Sequence, residues 1–309
     1  MKARVYKSTG SHYSVKDEHG RFWNARIRGR FKIDKSIRAT NPIAVGDWVN
    51  IIIENEDDGK AIINQIDKRK NYIIREAPQN RIKRHIVAAN LDEAIVIATI
   101  NNPRTSHGFI DRFLLTAEAY HLPASIIFNK ADLITEEYIA DWKILEDLYQ
   151  KIGYSVFTIQ ATVKEDIDKI RQHLKGKTTL FSGHSGVGKS TIVNELFPNL
   201  NLKTLAISST SGKGQHSTTF AEMFDLDDNS QIIDTPGVKE FGIIDIDRYE
   251  LAHYFPEMKA LLPECKFNNC LHVNEPECAV KDALEISVSI LRYESYLNIL
   301  DSLPQAEYL

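Results

Sequence analysis

Residues 183 to 190 read Gly183-His-Ser-Gly-Val-Gly-Lys-Ser190, a fit to G-x-x-x-x-G-K-[ST], between the apolar run Thr179-Leu-Phe181 and the helix-forming run Thr191-Ile-Val-Asn-Glu-Leu196. Glycines in such a loop let backbone N–H groups turn inward around a phosphate, and the dipole of the following helix favours the anion. Gly183, His184, Ser185, Gly186, Val187, Gly188, Lys189, Ser190 and Thr191 are therefore candidate nucleotide contacts, with Lys189 as a point charge and the Ser190 hydroxyl as a Mg²⁺ ligand. Asp234-Thr-Pro-Gly237 follows 45 residues after Lys189 (234 − 189 = 45). It suits the second phosphate element: Asp234 would hold Mg²⁺ through water, and the Gly237 N–H would meet a γ-phosphate, which only glycine lets the backbone approach so closely.

Asn129-Lys-Ala-Asp132 directly follows the apolar strand Ile126–Phe128. Guanine presents two adjacent donors that one carboxylate can accept together, so Asp132 would select guanine, with Asn129 bracing the loop and the Lys130 stem covering the base. Between the phosphate loop and Asp234 lies Ser211-Gly-Lys-Gly-Gln-His-Ser-Thr-Thr219, polar, glycine-rich and placed where a first switch belongs. Thr218 or Thr219 would complete the Mg²⁺ shell. Val238 cannot orient a water, which leaves His216 as the nearest candidate to assist hydrolysis, beside Lys189 and Gly237.

The order is the unusual part. The base-reading loop at 129 precedes the phosphate loop at 183, which precedes Asp234, whereas Ras-like enzymes run phosphate loop, DxxG, NKxD. The domain is read as circularly permuted, a change that folds tolerate when their termini lie close together. Farther on, Cys265, Cys270, His272 and Cys278 offer three thiolates and one imidazole, a closed tetrahedral set expected to hold one structural Zn²⁺ and to order a stretch poor in apolar residues.

These residues must be positioned by a chain of 309 residues with 43% hydrophobic and 26% charged composition, enough for two or three domains and unlike a disordered or fibrous sequence. The start lacks a signal-peptide apolar stretch, and nothing nears the ~18 consecutive apolar residues of a membrane span, so a cytoplasmic location and no membrane partner are expected. Lys and Arg number 19 against 10 Asp and Glu in residues 1 to 90, and 19 against 32 in the remainder. A basic front half is expected to meet a polyanion, with Arg21, Arg26, Arg28, Arg30, Lys32 and Lys35 as candidate phosphate contacts. Five β-branched and aromatic runs, at Val5-Tyr6, His12–Val15, Phe22–Arg28, Trp48–Ile53 and Ala61–Ile66, predict a small barrel, OB-type first and SH3-like second. From Leu91 strands and helices alternate, as in a doubly wound sheet: strands at Ala94–Thr99, Ala124–Phe128 and Ser155–Ile159, helices at Phe109–Tyr120, Glu136–Tyr149 and Ile167–Leu174. After about Phe241 a short helical region carries the Cys/His set.

The permuted motif order, the segment GKGQHSTT and the string C-x-F-x-x-C-x-H-x-x-E-P-x-C-A-V at 265 to 280 resemble the ribosome small-subunit-dependent GTPase A family over nearly the whole chain. The resemblance implies an OB-fold RNA-binding domain (1–68), a circularly permuted α/β P-loop GTPase domain (69–243) and a helical zinc-binding domain (244–309). It also implies GTP hydrolysis to GDP stimulated by the small ribosomal subunit, in whose late maturation the family acts, with that subunit and its rRNA as partners of a monomer. It makes His216 the hydrolysis-supporting residue and Ala161 the N–H donor at the guanine oxygen. Two departures stand out: Ser217 where the family has Thr, and Gln160-Ala161-Thr162 where it has a Ser-Ala motif. A P-loop kinase would need an acceptor site and no use for Asp132, and an RNA-binding module with a vestigial pocket would turn over no GTP.

Overall fold

The computed structural model describes residues 1–28, 41–77, 80–197, 221–227, 229–234 and 246–304. The alternating apolar residues of the first segment form β1 (Lys2–Ser8), β2 (Tyr13–Asp17), β3 (Phe22–Ile27), β4 (Trp48–Asn55) and β5 (Lys60–Ile66). Their inward set, including Val5, Tyr13, Val15, Trp23, Val49, Ile51 and Ile63, makes a closed core. β1 pairs with β2 and β4, β2 with β3, and β5 with both β4 and, in parallel, β3. That 1-2-3-5-4-1 circuit with a parallel β3–β5 pair is an OB-type barrel, so the SH3-like alternative falls. A hairpin of β6 (Tyr72–Ala77) and β7 (Asn80–Ala89) links barrel to sheet. Neither the strand nor the helix period stands out in the sequence of this stretch.

The central unit alternates β8 (Glu93–Ala98), α1 (His107–Ala119), β9 (Ala124–Phe128), α2 (Ile139–Ile152), β10 (Ser155–Thr158), α3 (Lys164–Leu174), β11 (Thr178–Ser182), α4 (Lys189–Leu196), β12 (Glu222–Asp225) and β13 (Gln231–Asp234). The sheet runs β10-β9-β8-β11-β13-β12, parallel except for β12, and β12 adds the barrel's β1 to the same sheet. β8 is buried on both faces: Ala94, Val96 and Ala98 enter one core with α1, while Ile95 and Ile97 enter the other with α3 and α4. Each large aliphatic buried there contributes ~1.5–3 kcal/mol relative to exposure. The loops after β9, β10 and β11 leave the carboxyl edge of the sheet, where β13 ends at Asp234 and where open α/β sheets bind ligands.

The C-terminal region contains α5 (Pro256–Lys259), α6 (Ala279–Asp282) and α7 (Ile290–Ser302). Leu251, Phe255, Met258, Val280, Tyr296, Ile299 and Leu300 form its core, closed on one side by Leu115 of α1. The fully buried Arg292 of α7 donates to Asp111 of α1 at 2.6 Å and to Glu257 of α5 at 2.6 Å. Asp111 also accepts from Tyr149 of α2 at 2.8 Å, so four helices meet on one ion cluster. Among the described residues no helix is long and apolar enough to cross a membrane.

Candidate functional site

The loop 183–188 coils at the end of β11 because Gly183, Gly186 and Gly188 adopt φ of 148, 86 and 94°. Two of these positions admit nothing larger: a Cβ at Gly183 would lie 2.3 Å from the Ile97 carbonyl oxygen, and one at Gly188 2.3 Å from the Asn129 amide nitrogen. Lys189 opens α4 and folds back, its ammonium donating to the Gly183 and His184 carbonyls at 2.5 and 2.9 Å. Burial lowers the Lys189 pKa, and the neighbouring Asp234 carboxylate opposes that shift. His184 stacks on Phe109 of α1 with ring centroids 3.8 Å apart. Burial first, and then the Lys189 charge, lowers its pKa and favours the neutral imidazole. Ser190 and Thr191 follow in the first turn of α4, half-buried, and Asp234 sits buried at the end of β13 beside the loop.

The base-reading loop reaches this cradle through one side chain. Asn129 is buried; its amide donates to the Val187 carbonyl at 2.9 Å and its oxygen accepts from the Ala161 N–H at 3.1 Å. Three loops, after β9, β10 and β11, are thereby fixed to one another. Lys130, in the left-handed region at φ 61°, extends its ammonium to the Asn102 carbonyl at 2.5 Å, and Asp132 lies exposed in a short 3₁₀ turn, Ala131–Leu133. Gln160-Ala161-Thr162 is braced despite its departure from the family pattern: the Gln160 N–H donates to Asp166 at 2.9 Å and its side-chain amide to Thr162 at 3.0 Å. The Ala161 N–H expected at a guanine oxygen is, here, engaged by Asn129.

His216, Thr218, Thr219, Gly237, Val238, Ser217 and the candidate phosphate contacts Arg30, Lys32 and Lys35 lie outside the described residues. Arg21 and Arg26 are exposed and paired with Glu56 at 3.1 Å and Glu54 at 2.5 Å, and Arg28 is exposed at the end of β3. Phe109 and Asn102 had escaped sequence reasoning. Helical periodicity placed Phe109 on a helix, but no local signal announced that the helix would lie against the phosphate loop.

In the C-terminal region the ligand atoms of Cys265, Cys270, His272 and Cys278 all lie within 4.8 Å of one another. Cys265 Sγ stands 3.7 Å and Cys278 Sγ 3.3 Å from His272 Nδ1. Donors on a tetrahedron with ~2.3 Å bonds are separated by roughly 3.7 Å, so the set is compatible with Zn²⁺. Without a cation, burial pushes the Cys270 thiol up to about 12, and a bound cation would reverse that. Glu275 holds the knuckle by accepting from the Leu271, Val273 and Asn274 N–H groups at 2.8, 2.8 and 3.1 Å, and Tyr293 and Tyr296 donate to the His272 and Leu271 carbonyls at 2.6 and 2.8 Å. The knuckle itself is poor in apolar residues, as expected, yet it docks on the helical core described above.

An OB-type barrel, a sheet in the Ras order read from a rotated starting point, a glycine-turned phosphate loop and a Cys₃His cluster together define the class: a circularly permuted P-loop GTPase. The RsgA GTPase family matches residues 66–244 and the RsgA N-terminal domain matches residues 2–62. The chain is 50% identical over 303 residues to the small ribosomal subunit biogenesis GTPase RsgA of Flavobacterium psychrophilum, covering 97% of this chain and 93% of that one. It is 48% identical over 309 residues to small ribosomal subunit biogenesis GTPase RsgA 2 of Bacteroides thetaiotaomicron, covering 100% and 99%. Among solved structures, YjeQ from Thermotoga maritima aligns with a TM-score of 0.77 at 31% identity, covering 97% of both chains. YloQ, a circularly permuted GTPase, aligns at 0.73 and 27% identity over 98% of this chain and 96% of the other. The chain belongs to the RsgA GTPase family, and its enzymatic class is GTP hydrolase.

Proposed function

We propose that this GTPase binds the small ribosomal subunit in the cytoplasm during the subunit's late maturation, hydrolyses GTP to GDP and phosphate faster when so bound, and uses hydrolysis to leave. In this reading the chain acts as a monomer of three units, 1–68, 69–243 and 244–309, with barrel and C-terminal unit against rRNA. Gly183 to Thr191 wrap the phosphates, and Lys189 exchanges its carbonyl partners for phosphate oxygens. Ser190, Asp234 and Thr218 or Thr219 hold Mg²⁺, which spreads the charge that builds on the transferred phosphoryl group. The Gly237 N–H binds the γ-phosphate and His216 assists the attacking water. Asp132 accepts both guanine donors, the Lys130 stem covers the base, and the Ala161 N–H serves the guanine oxygen while Asn129 remains its second acceptor. One Zn²⁺ on Cys265, Cys270, His272 and Cys278 is structural.

The observation that carries the reading is the Asn129 bridge. The loop that carries the guanine-reading motif 129–132 is tied by a buried side chain to the loop that carries the phosphate-binding motif 183–190. The names borne by the relatives supply the partner. The test is GTP turnover with and without purified small subunits: stimulation is expected, with His216→Ala losing it while still binding GTP. Equal turnover in both conditions would contradict the reading.

A further inference from the structure

The barrel does not merely neighbour the GTPase unit; it is built into its sheet. β1 pairs with β12 at Lys7↔Glu222, and β12 pairs with β13 at Glu222↔Asp234, so one line of residues crosses from the barrel to the proposed magnesium carboxylate. Glu222 opens β12 and Asp234 closes β13, so the placement of β12 bears directly on that carboxylate.

What holds β12 to the barrel is chiefly Asp225. The buried Tyr6 donates its hydroxyl to one Asp225 oxygen at 2.6 Å, and the Lys16 ammonium meets the other at 2.7 Å, both from barrel strands. Lys7 pairs with Glu222 at 2.9 Å, and Arg4 reaches across to Gln231 and Thr178 at 2.9 Å each. The contact continues outward: Tyr6 packs edge-on against Phe22 at 5.1 Å, and Lys16 stands 5.8 Å over the same ring, whose residue is half exposed on the barrel surface. Burial, then the hydrogen bond to Asp225, raises the Tyr6 pKa well above its ordinary value, so the phenol remains a donor.

We propose that Asp225 is a positioning residue for subunit-stimulated hydrolysis: gripped by Tyr6 and Lys16, it fixes β12 to the barrel, so that a polyanion bound on the barrel is registered, through the pairing of β12 with β13, at Asp234, the proposed Mg²⁺ carboxylate. The inference rests on the proposed function and adds the route by which the partner acts. A coupling of this kind is worth about 5- to 150-fold between two sites.

The experiment measures GTP turnover of the full chain with and without purified small subunits, and subunit binding by co-sedimentation, for the unmodified chain, Asp225→Ala and the exchanged pair Lys16→Asp/Asp225→Lys. Asp225→Ala is expected to keep unstimulated turnover, the KM for GTP and subunit binding, while its stimulated kcat falls at least fivefold. The exchanged pair should recover most of that loss. Stimulation of Asp225→Ala equal to the unmodified chain overturns the inference, as does loss of unstimulated turnover or of subunit binding in both variants, which would make the contact only a structural joint. An unmodified chain that the subunit fails to stimulate overturns the proposed function, and this inference with it, and is told apart by that control alone.

Discussion

Asn129 satisfies two backbone groups on two different loops, and Gly188 leaves it the room to do so. Asn129→Ala leaves a buried carbonyl and a buried N–H without partners, at ~1–3 kcal/mol each, so the midpoint of thermal unfolding should drop and GTP affinity with it. Gly188→Ala should cost both stability and affinity, because alanine is strained at φ 94° and its methyl would displace the Asn129 amide; thermal unfolding and titration with a fluorescent guanine nucleotide read the two effects. Glu93 gives a residue-level pH prediction. Burial would push this carboxyl up, but hydrogen bonds from His173, Ser125 and Lys177 outweigh that and hold it below its ordinary value of 4.5. A group depressed in the folded state stabilises above its unfolded pKa and loses that contribution as pH falls through the folded one. Stability should therefore decline as the pH is lowered below 4.5, and Glu93→Gln should flatten that part of the curve in denaturant titrations.

At the scale of elements, α1 carries Phe109 against the phosphate loop and Asp111 against Arg292 of α7. Removing the arginine strands two buried carboxylates, so Arg292→Ala should destabilise by ~3–5 kcal/mol in chemical denaturation, far more than a surface ion pair would. The barrel strands and the alternating core were legible because their apolar periods, 2 in β1 to β5 and near-continuous in β8 and β9, coincide with burial. β6 and β7 were not: Asn71–Asn90 intersperses Arg, Lys and Glu with its aliphatics, so neither period stands out. β12 has four residues, one of them buried, too short for any pattern to show. The zinc set was legible from spacing alone, whereas Glu275 as its backbone clamp was not, since its role depends on where the chain turns back. Chelation should release one Zn²⁺ per chain and lower the melting of the C-terminal core selectively, read by tyrosine fluorescence near Tyr293 and Tyr296.

Across the whole molecule, a basic barrel and an acidic remainder are joined through one continuous sheet. Subunit binding that depends on phosphate contacts should weaken steeply with salt, with a log–log slope that grows with the number of phosphates engaged. The motif order in the chain foretold the rotation, and the strand order confirms it: loops far apart and out of the familiar order in sequence converge on the carboxyl edge. Nothing local in the sequence announces the sharing of a sheet between barrel and GTPase unit, because it depends on a single registered pair, Lys7 with Glu222, and on side chains that meet from 209 to 219 residues apart. In the proposed function a single pocket binds guanosine triphosphate, with the 129–132 loop at the base and the 183–190 loop at the phosphates. The most direct test is nucleotide choice in Asp132→Asn, because an amide can no longer accept both guanine donors but complements xanthine, whose 2-oxo group replaces the amine. Loss of GTP binding with a gain for xanthosine triphosphate is the predicted result; unchanged preference for GTP over both xanthosine triphosphate and ATP would contradict it.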